Sequence, residues 1–410
     1  MRRRFAWSFW DRSRPRRFAR ATMRRASRRC TCSCPCDSNA LLLEGLTLAN
    51  VRNYAALEFA PAAGLNVFVG ANAQGKSNLL EAIALLGTGK SFRTTRESEI
   101  VRHGLPSASL SGEARVAAGK VRLSCSLAVA SGALRKVYAI NGRKVRYASY
   151  LGRVRVVTFV PGHLALVTGP PALRRSLLNA ALAQESPRYY GALATYGKYL
   201  AQKNALLRGA RPLDEALLAT YDERLIAEGT ILTLARRAFI AALAERARAV
   251  HRLWVGDTDG TLELDYACDV SCDVPTADGI GAAFTARLAA KAAAERSRGM
   301  ALVGPHRDDL IFRLGNQPLA AFGSQGQQRT AVLALKVAEY AVVQARSGEA
   351  PLLLLDDVLS ELDPQRQGAF LQEIGSFDQA FLTTAHAIDV PAAATYRIDG
   401  ARLERASASA

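Results

Sequence analysis

Gly70-Ala71-Asn72-Ala73-Gln74-Gly75-Lys76-Ser77 satisfies the spacing G-x-x-x-x-G-K-[ST] of a phosphate-binding loop, and its flanks decide how it is read. Leu65–Val69 (Leu-Asn-Val-Phe-Val) predicts a short strand ending at Gly70. Asn78–Leu86 predicts a helix, so the loop lies between strand and helix. Successive backbone N–H groups and the positive end of the helix dipole then form a concave anion site. Gly70 and Gly75 permit the tight path, Lys76 reaches the β and γ phosphates, and the Ser77 hydroxyl ligates magnesium. A second Gly-Lys-Ser, at Gly89-Lys90-Ser91, has Ala84 where the motif needs its first glycine. It reads as a loop after the helix, with Lys90 and Arg93 structural or facing a partner.

The complement lies 280 residues on. Leu352-Leu-Leu-Leu355 runs into Asp356-Asp357, as a buried parallel strand does when it delivers carboxylates to the edge of a sheet. Asp356 is expected to hold magnesium, directly or through water, and Asp357 to orient or deprotonate the attacking water. Ser360-Glu-Leu-Asp363-Pro364 turns the chain away, and Pro364 suits the start of a new helix. The expected cofactors are ATP and Mg2+.

Three further segments accompany these two: Val51-Arg52-Asn53-Tyr54, Gly304-Pro-His-Arg-Asp-Asp309 and Ser324-Gln325-Gly326-Gln-Gln-Arg-Thr330. With all five in this order, from about Leu41 to about Gly400, the chain resembles the RecF family of SMC-related, ABC-type ATPases. The resemblance implies an α/β fold: an ABC/SMC-type P-loop ATPase head assembled from both termini, with a mostly helical inserted arm. It implies a nucleotide sandwich, in which Ser324, Gln325 and Gly326 reach the γ-phosphate held by a partner's Lys76. Read alone, that segment is only a polar, glycine-containing start to a helix over Ala331–Val343. Arg52, Asn53 and Asn78 match family positions near the nucleotide, and Ser360 and Asp363 match the loop facing the partner's phosphate site. Asp357 stands where the broader ABC pattern has Glu, which shortens the reach to water and suggests slow turnover. The switch histidine is open between His386 and Thr384. The implied function is ATP-driven dimerisation on DNA, single-stranded and duplex and at their junctions, helping partners of the RecO and RecR type to load recombinase. The implied ATPase is weak and DNA-stimulated, and the implied location is cytoplasmic and nucleoid-associated. Another SMC-like ATPase and a transporter's nucleotide-binding subunit are the alternatives.

Composition narrows the classes. Residues 1–40 hold twelve Arg and two Asp, so they carry +10 of the net +18, and the body is only moderately basic. That balance is consistent with a DNA partner. No apolar run approaches the 18 or so residues of a membrane span. The first forty residues lack the apolar stretch of a secretory signal, and Cys30, Cys32, Cys34 and Cys36 lack C-x-x-C zinc spacing. The leading expectation is a start codon assigned too far upstream; a basic DNA-binding arm and an organelle presequence follow. Cys125, Cys268 and Cys272 form no disulfide framework and fit a reducing compartment.

The expected organisation is a basic extension over 1–40, the N-terminal part of the head over 41–160, a mostly helical arm over 161–298, the C-terminal part of the head over 299–400, and a tail over 401–410. Val121–Ala128 reads as a strand, and Lys136–Ile140 turns at Asn141-Gly142 as a hairpin. Leu225–Leu253 and Phe284–Arg296 read as helices flanking a strand at Thr261–Val270. Tyr189, Tyr190, Tyr196 and Tyr199, interspersed with basic residues, suit base stacking, but at helical spacing they read first as core. His306, Asp308 and Asp309 read as a salt-bridged junction between lobes, with Arg174 and Arg175 at matching family positions.

Overall fold

The structure is a computed structural model and describes residues 40–406 apart from 131, 210–211, 257–259, 362–363, 387 and 389–393. The expectations for residues 1–39 and for Asp363 lie outside the described residues. The described residues open with a hairpin, β1 (Leu42–Val51) and β2 (Tyr54–Phe59), then β3 (Gly64–Val69), the loop, and α1 (Lys76–Thr88). β4 (Ser107–Val116), β5 (Gly119–Ala130), β6 (Ala133–Ile140) and β7 (Arg143–Val145) follow, then α2 (Tyr147–Tyr150) and β8 (Val156–Phe159). The helical stretch is α3 (Ala165–Thr168), α4 (Pro171–Glu185), α5 (Pro187–Arg208), α6 (Glu215–Val255), β9 (Leu262–Ala267) and α7 (Ala277–Arg298). β10 (Asp309–Leu314), β11 (Gln317–Pro318), α8 (Leu319–Phe322) and α9 (Gln325–Ser347) lead to β12 (Leu352–Asp356). α10 (Pro364–Ile374), β13 (Gln379–Thr384), β14 (Ala394–Asp399) and β15 (Arg402–Arg405) complete it.

The central sheet has the order β15-β14-β3-β13-β12-β8, parallel except for β15. It joins strands from both ends of the chain, because β3 and β8 precede the helical stretch and β12, β13 and β14 follow it. The four leucines of β12 explain its place: a strand covered on both faces needs apolar residues at every position. Leu352 and Leu354 pack with α1 and the antiparallel sheet, and Leu353 and Leu355 pack with α9 and the helices. Phe68 of β3 stacks on Phe381 of β13 within the first of these layers.

The second sheet is antiparallel, β2-β1-β4-β5-β6-β7. Its last turn uses Asn141 and Gly142, with φ of 49° and 78°, the two left-handed residues that a tight hairpin requires. Gln379 ties the two sheets, accepting from Leu43 N at 2.8 Å and donating to Leu43 O at 3.0 Å.

α6 is longer than its apolar pattern suggested. Asp214 caps its start by accepting Leu217 N at 2.9 Å, and Gly256, at φ 67°, ends it. It packs against α5, α7, α9 and β9. β9 pairs with β10, so the boundary expected at 298/299 falls just ahead of a paired strand, and the chain rejoins the central sheet only at β12. Contacts unite Asn39–Ala410 as one unit, because α9 packs on both α6 and β8. Among the described residues, no helix is long and apolar enough to cross a membrane.

Candidate functional site

The loop Gly70–Gly75 leaves the C-terminal end of β3 beside the ends of β13 and β12, where an open parallel sheet offers its crevice. Space fixes both glycines. A Cβ on Gly70 would stand 2.3 Å from Ile398 O, and one on Gly75 2.6 Å from Asn53 Nδ2. Gly75 has φ 114° and Ala73 φ 66°, the left-handed conformations from which anion-binding nests are built. No side chain caps the N-terminus of α1, so its first-turn N–H groups and positive dipole end serve the concavity of the loop. Ala71, Asn72 and Ala73 form the exposed crest. Gln74 is held from outside: Gly400 N donates to its Oε1 at 2.7 Å and Ala401 N to its carbonyl at 3.1 Å.

Lys76 Nζ donates to Gly70 O at 2.7 Å and Ala71 O at 2.8 Å. Burial lowers its pKa, opposed by the charges of Asp357 and Asp356. Ser77 Oγ donates to Asp356 Oδ1 at 2.7 Å, joining residues 279 apart in sequence. These are hard oxygen donors, a hydroxyl and a carboxylate, and they fit a small divalent cation such as Mg2+. Asp356 is buried, whereas Asp357 is exposed. Asp357 also has φ 50°, an uncommon conformation for a non-glycine residue and one that concentrates at functional sites. Its backbone is anchored twice: its N–H donates to Thr383 Oγ1 at 2.9 Å, and its carbonyl accepts Ser360 Oγ at 2.8 Å.

Thr383 is the residue that sequence reasoning missed. Its hydroxyl lies 2.9 Å from Asp356 Oδ1 as well, so it links the two acids. Thr384 and His386, the two candidates for the switch position, bond each other, Thr384 Oγ1 donating to His386 O at 2.9 Å. The signal for Thr383 is its register opposite Asp356, which emerges only when β12 and β13 pair.

Asn53 and Asn78 flank the loop. Asn53 Nδ2 donates to Gln74 O at 3.1 Å and its Oδ1 accepts Asn78 Nδ2 at 2.7 Å. Tyr54 adds a bond to Gly75 O at 3.1 Å. The Arg52 fork grips Glu81 through two bonds of 2.8 Å, because that carboxylate is buried in α1 and requires a cation. Asn53, not Arg52, touches the loop. Lys90 and Ser91 follow Gly89, the left-handed cap at the C-terminal end of α1, where the dipole disfavours a phosphate. Arg93 contacts Asn78 and Glu81.

Among the described residues, Ser324, Gln325 and Gly326 make no hydrogen bond to the loop. Ser324 caps α9, accepting Gln327 N at 3.2 Å, and Gln327 Oε1 accepts Ser324 N at 2.9 Å. Ser324, Gln325 and the nearby Phe322 are exposed.

The motif Gly304–Asp309 builds a polar junction. Asp308 accepts Arg236 Nη1 at 2.9 Å and the N–H of Asp269 at 2.9 Å, and Arg174 forks onto Asp309 at 2.6 and 2.8 Å. Arg175 donates to Asp308 O at 2.8 Å. Tyr189 and Tyr196 are core residues whose hydroxyls meet Asn179 and His306, both at 2.7 Å. Among the described residues, no cluster of three or more His, Cys, Asp and Glu side chains suits a metal.

Residues 42–401 match the sequence profile of the RecF/RecN/SMC N terminal domain. The DNA replication and repair protein RecF of Thermosynechococcus vestitus is 43% identical over 360 residues, covering 87% of this chain and 93% of the relative. The protein of the same name from Geobacillus thermodenitrificans is 36% identical over 370 residues, covering 87% and 98%. Two solved structures of the recombination mediator protein RecF in the RecFOR pathway, one with ATPrS and one with ATP, each superpose with a TM-score of 0.82 at 29% identity. They cover 90% of this chain and 99% and 98% of their own. The SMC head domain of Pyrococcus furiosus, at 16% identity and a TM-score of 0.52 over 90% of this chain and 97% of its own, shares the fold.

Proposed function

The chain belongs to the RecF family, and from that premise we propose that it is an ATP-dependent DNA-binding protein of recombinational repair and replication restart. The observation that carries the reading is the 2.7 Å bond from Ser77 to Asp356, which closes a phosphate site from two distant segments. The likeness to RecF structures solved with ATP and ATPrS supports ATP as the nucleotide.

Gly70–Ser77 and Asn78 bind the phosphates through backbone N–H groups and the dipole of α1, and Lys76 adds a charge-assisted bond. Ser77 and Asp356 are the residues that would hold Mg2+, which when bound would neutralise phosphate charge. Asp357 takes or orients a proton of the attacking water, on a backbone fixed by Thr383 and Ser360. A carboxylate on the shorter Asp side chain agrees with slow turnover.

The partner-facing half of the mechanism belongs to Ser324, Gln325 and Gly326. The exposure of Ser324 and Gln325, beside Phe322 at 70% exposure, supports a surface that meets a second copy and completes the γ-phosphate contacts there. ATP binding then drives dimerisation on gapped or junction DNA, hydrolysis releases it, and partners of the RecO and RecR type load recombinase. This activity places the protein in the cytoplasm, on the nucleoid.

Turnover of ATP by the purified protein, measured with and without duplex DNA, tests the reading. The expected result is slow hydrolysis that DNA accelerates. Hydrolysis indifferent to DNA, in a protein that binds none, would return the chain to the ABC transporter class.

A further inference from the structure

The acids of α7 are Asp278 and Glu295, and Glu295 is buried against Lys203 at 2.6 Å. The outward side of its C-terminal half therefore presents cations. Arg287, Lys291 and Arg298 are exposed there, and Arg307, from the turn that precedes β10, joins them. Together they surround a depression of about 160 Å³ that Ala294 and Leu302 help to line. Asp269 is the acid of this rim, and both of its oxygens are occupied, by Arg287 Nη2 at 2.8 Å and Gly304 N at 2.8 Å. The side chains of Lys291, Arg298 and Arg307 have no hydrogen-bond or ion-pair partner among the described residues. Like charges gathered around one depression repel, and an anion relieves that repulsion.

We propose that this face of α7, with Arg307, binds the phosphodiester backbone of DNA without reading its sequence. The inference rests on the DNA-binding function proposed above and gives it a surface. Spacing favours a polymer over a single ion. Lys291 and Arg298 are seven residues apart, about 10 Å along a helix rising 1.5 Å per residue. That spans about three nucleotide steps of 3.4 Å on one strand, whereas one phosphate ion meets one end of the row. Arg307 is rigidly mounted, because the adjacent Asp308 and Asp309 hold Arg236 and Arg174.

The test compares wild type with the triple variant Lys291→Ala, Arg298→Ala, Arg307→Ala. Anisotropy of a labelled duplex, with ATP present, is followed between 50 and 200 mM salt. Each phosphate contact contributes about 0.9 to the slope of log affinity against log salt, so three lost contacts lower it by about 2.7. ATP binding is expected to be unchanged, and the charge-conserving variant Lys291→Arg, Arg298→Lys, Arg307→Lys is expected to keep most of the slope. A triple variant that binds duplex with the wild-type slope overturns this surface while leaving DNA binding intact. A wild-type protein that binds no DNA overturns the functional reading and this surface together. Inorganic phosphate is expected to displace duplex no better than chloride at equal ionic strength. Selective displacement by phosphate, with the slope unaltered in the triple variant, assigns the depression to a free anion and overturns the proposal.

Discussion

Thr383 Oγ1 lies 2.9 Å from Asp356 Oδ1 and accepts the backbone N–H of Asp357 at the same distance, so one hydroxyl sets the relative position of the two acids. Thr383 is fully buried, and water cannot replace it without rearrangement. Thr383→Val keeps the shape but strands the N–H of Asp357, at a cost of about 1–3 kcal/mol. The expected outcome is a fall in ATP turnover of about tenfold or more, with ATP affinity much less affected, and recovery in Thr383→Ser. Steady-state kinetics and nucleotide titration on the three proteins check it.

Lys76→Ala removes the ammonium that bridges Gly70 O and Ala71 O. A charge-assisted bond contributes about 1.5–3 kcal/mol, so ATP affinity should fall roughly 10- to 100-fold. Lys76→Arg should fare little better, because its broad planar head does not suit a point-charge position. Calorimetric titration with ATP and magnesium measures both; wild-type affinity in Lys76→Ala would refute the phosphate-loop assignment.

Asp357→Asn separates binding from chemistry. Asn tolerates the left-handed backbone that Asp357 adopts at φ 50°, so the fold and the bond to Thr383 should persist. Losing the carboxylate removes a base contribution of about 10²–10⁴ in rate. ATP should still bind, and the ATP-bound dimer should accumulate. Turnover at the wild-type rate would clear Asp357 of the catalytic role.

Arg236 and Asp308 are 3% and 1% exposed, and their 2.9 Å pair lies at the junction of α6 with the segment preceding β10. Arg236→Ala leaves an uncompensated buried carboxylate, a loss of about 3–5 kcal/mol. Adding Asp308→Asn should recover part of that loss. Denaturant unfolding of the single and double variants reads the coupling, which strict additivity would deny.

The sequence made the strand–loop–helix around Gly70 and the leucine strand of β12 legible, because both patterns are local and strongly apolar. The hairpin at Asn141-Gly142 was legible for the same reason: a tight turn needs two left-handed residues in a row. Parallel pairing is not local. The register that sets Thr383 opposite Asp356 arises through the crossover from β12 to β13, and no periodicity announces it. Arg52 was placed by its match to a family position, yet its partner Glu81 is 29 residues away and was hidden as one acid in an apolar helix. Ser324 could be singled out by its motif, but within a single chain its bonds, to Gln327 and Gln328, are those that start α9.

In the proposed function ATP joins two heads, each supplying half of the site. Light scattering with ATP and magnesium, on wild type and Ser324→Arg, tests it most directly. Binding that favours the dimer shifts association by mass action. Wild type should therefore dimerise as ATP is added, while Ser324→Arg binds ATP with near-normal affinity but stays monomeric and loses DNA-stimulated turnover. A Ser324→Arg protein that dimerises and hydrolyses ATP like wild type would contradict the shared site, even with Lys76 essential.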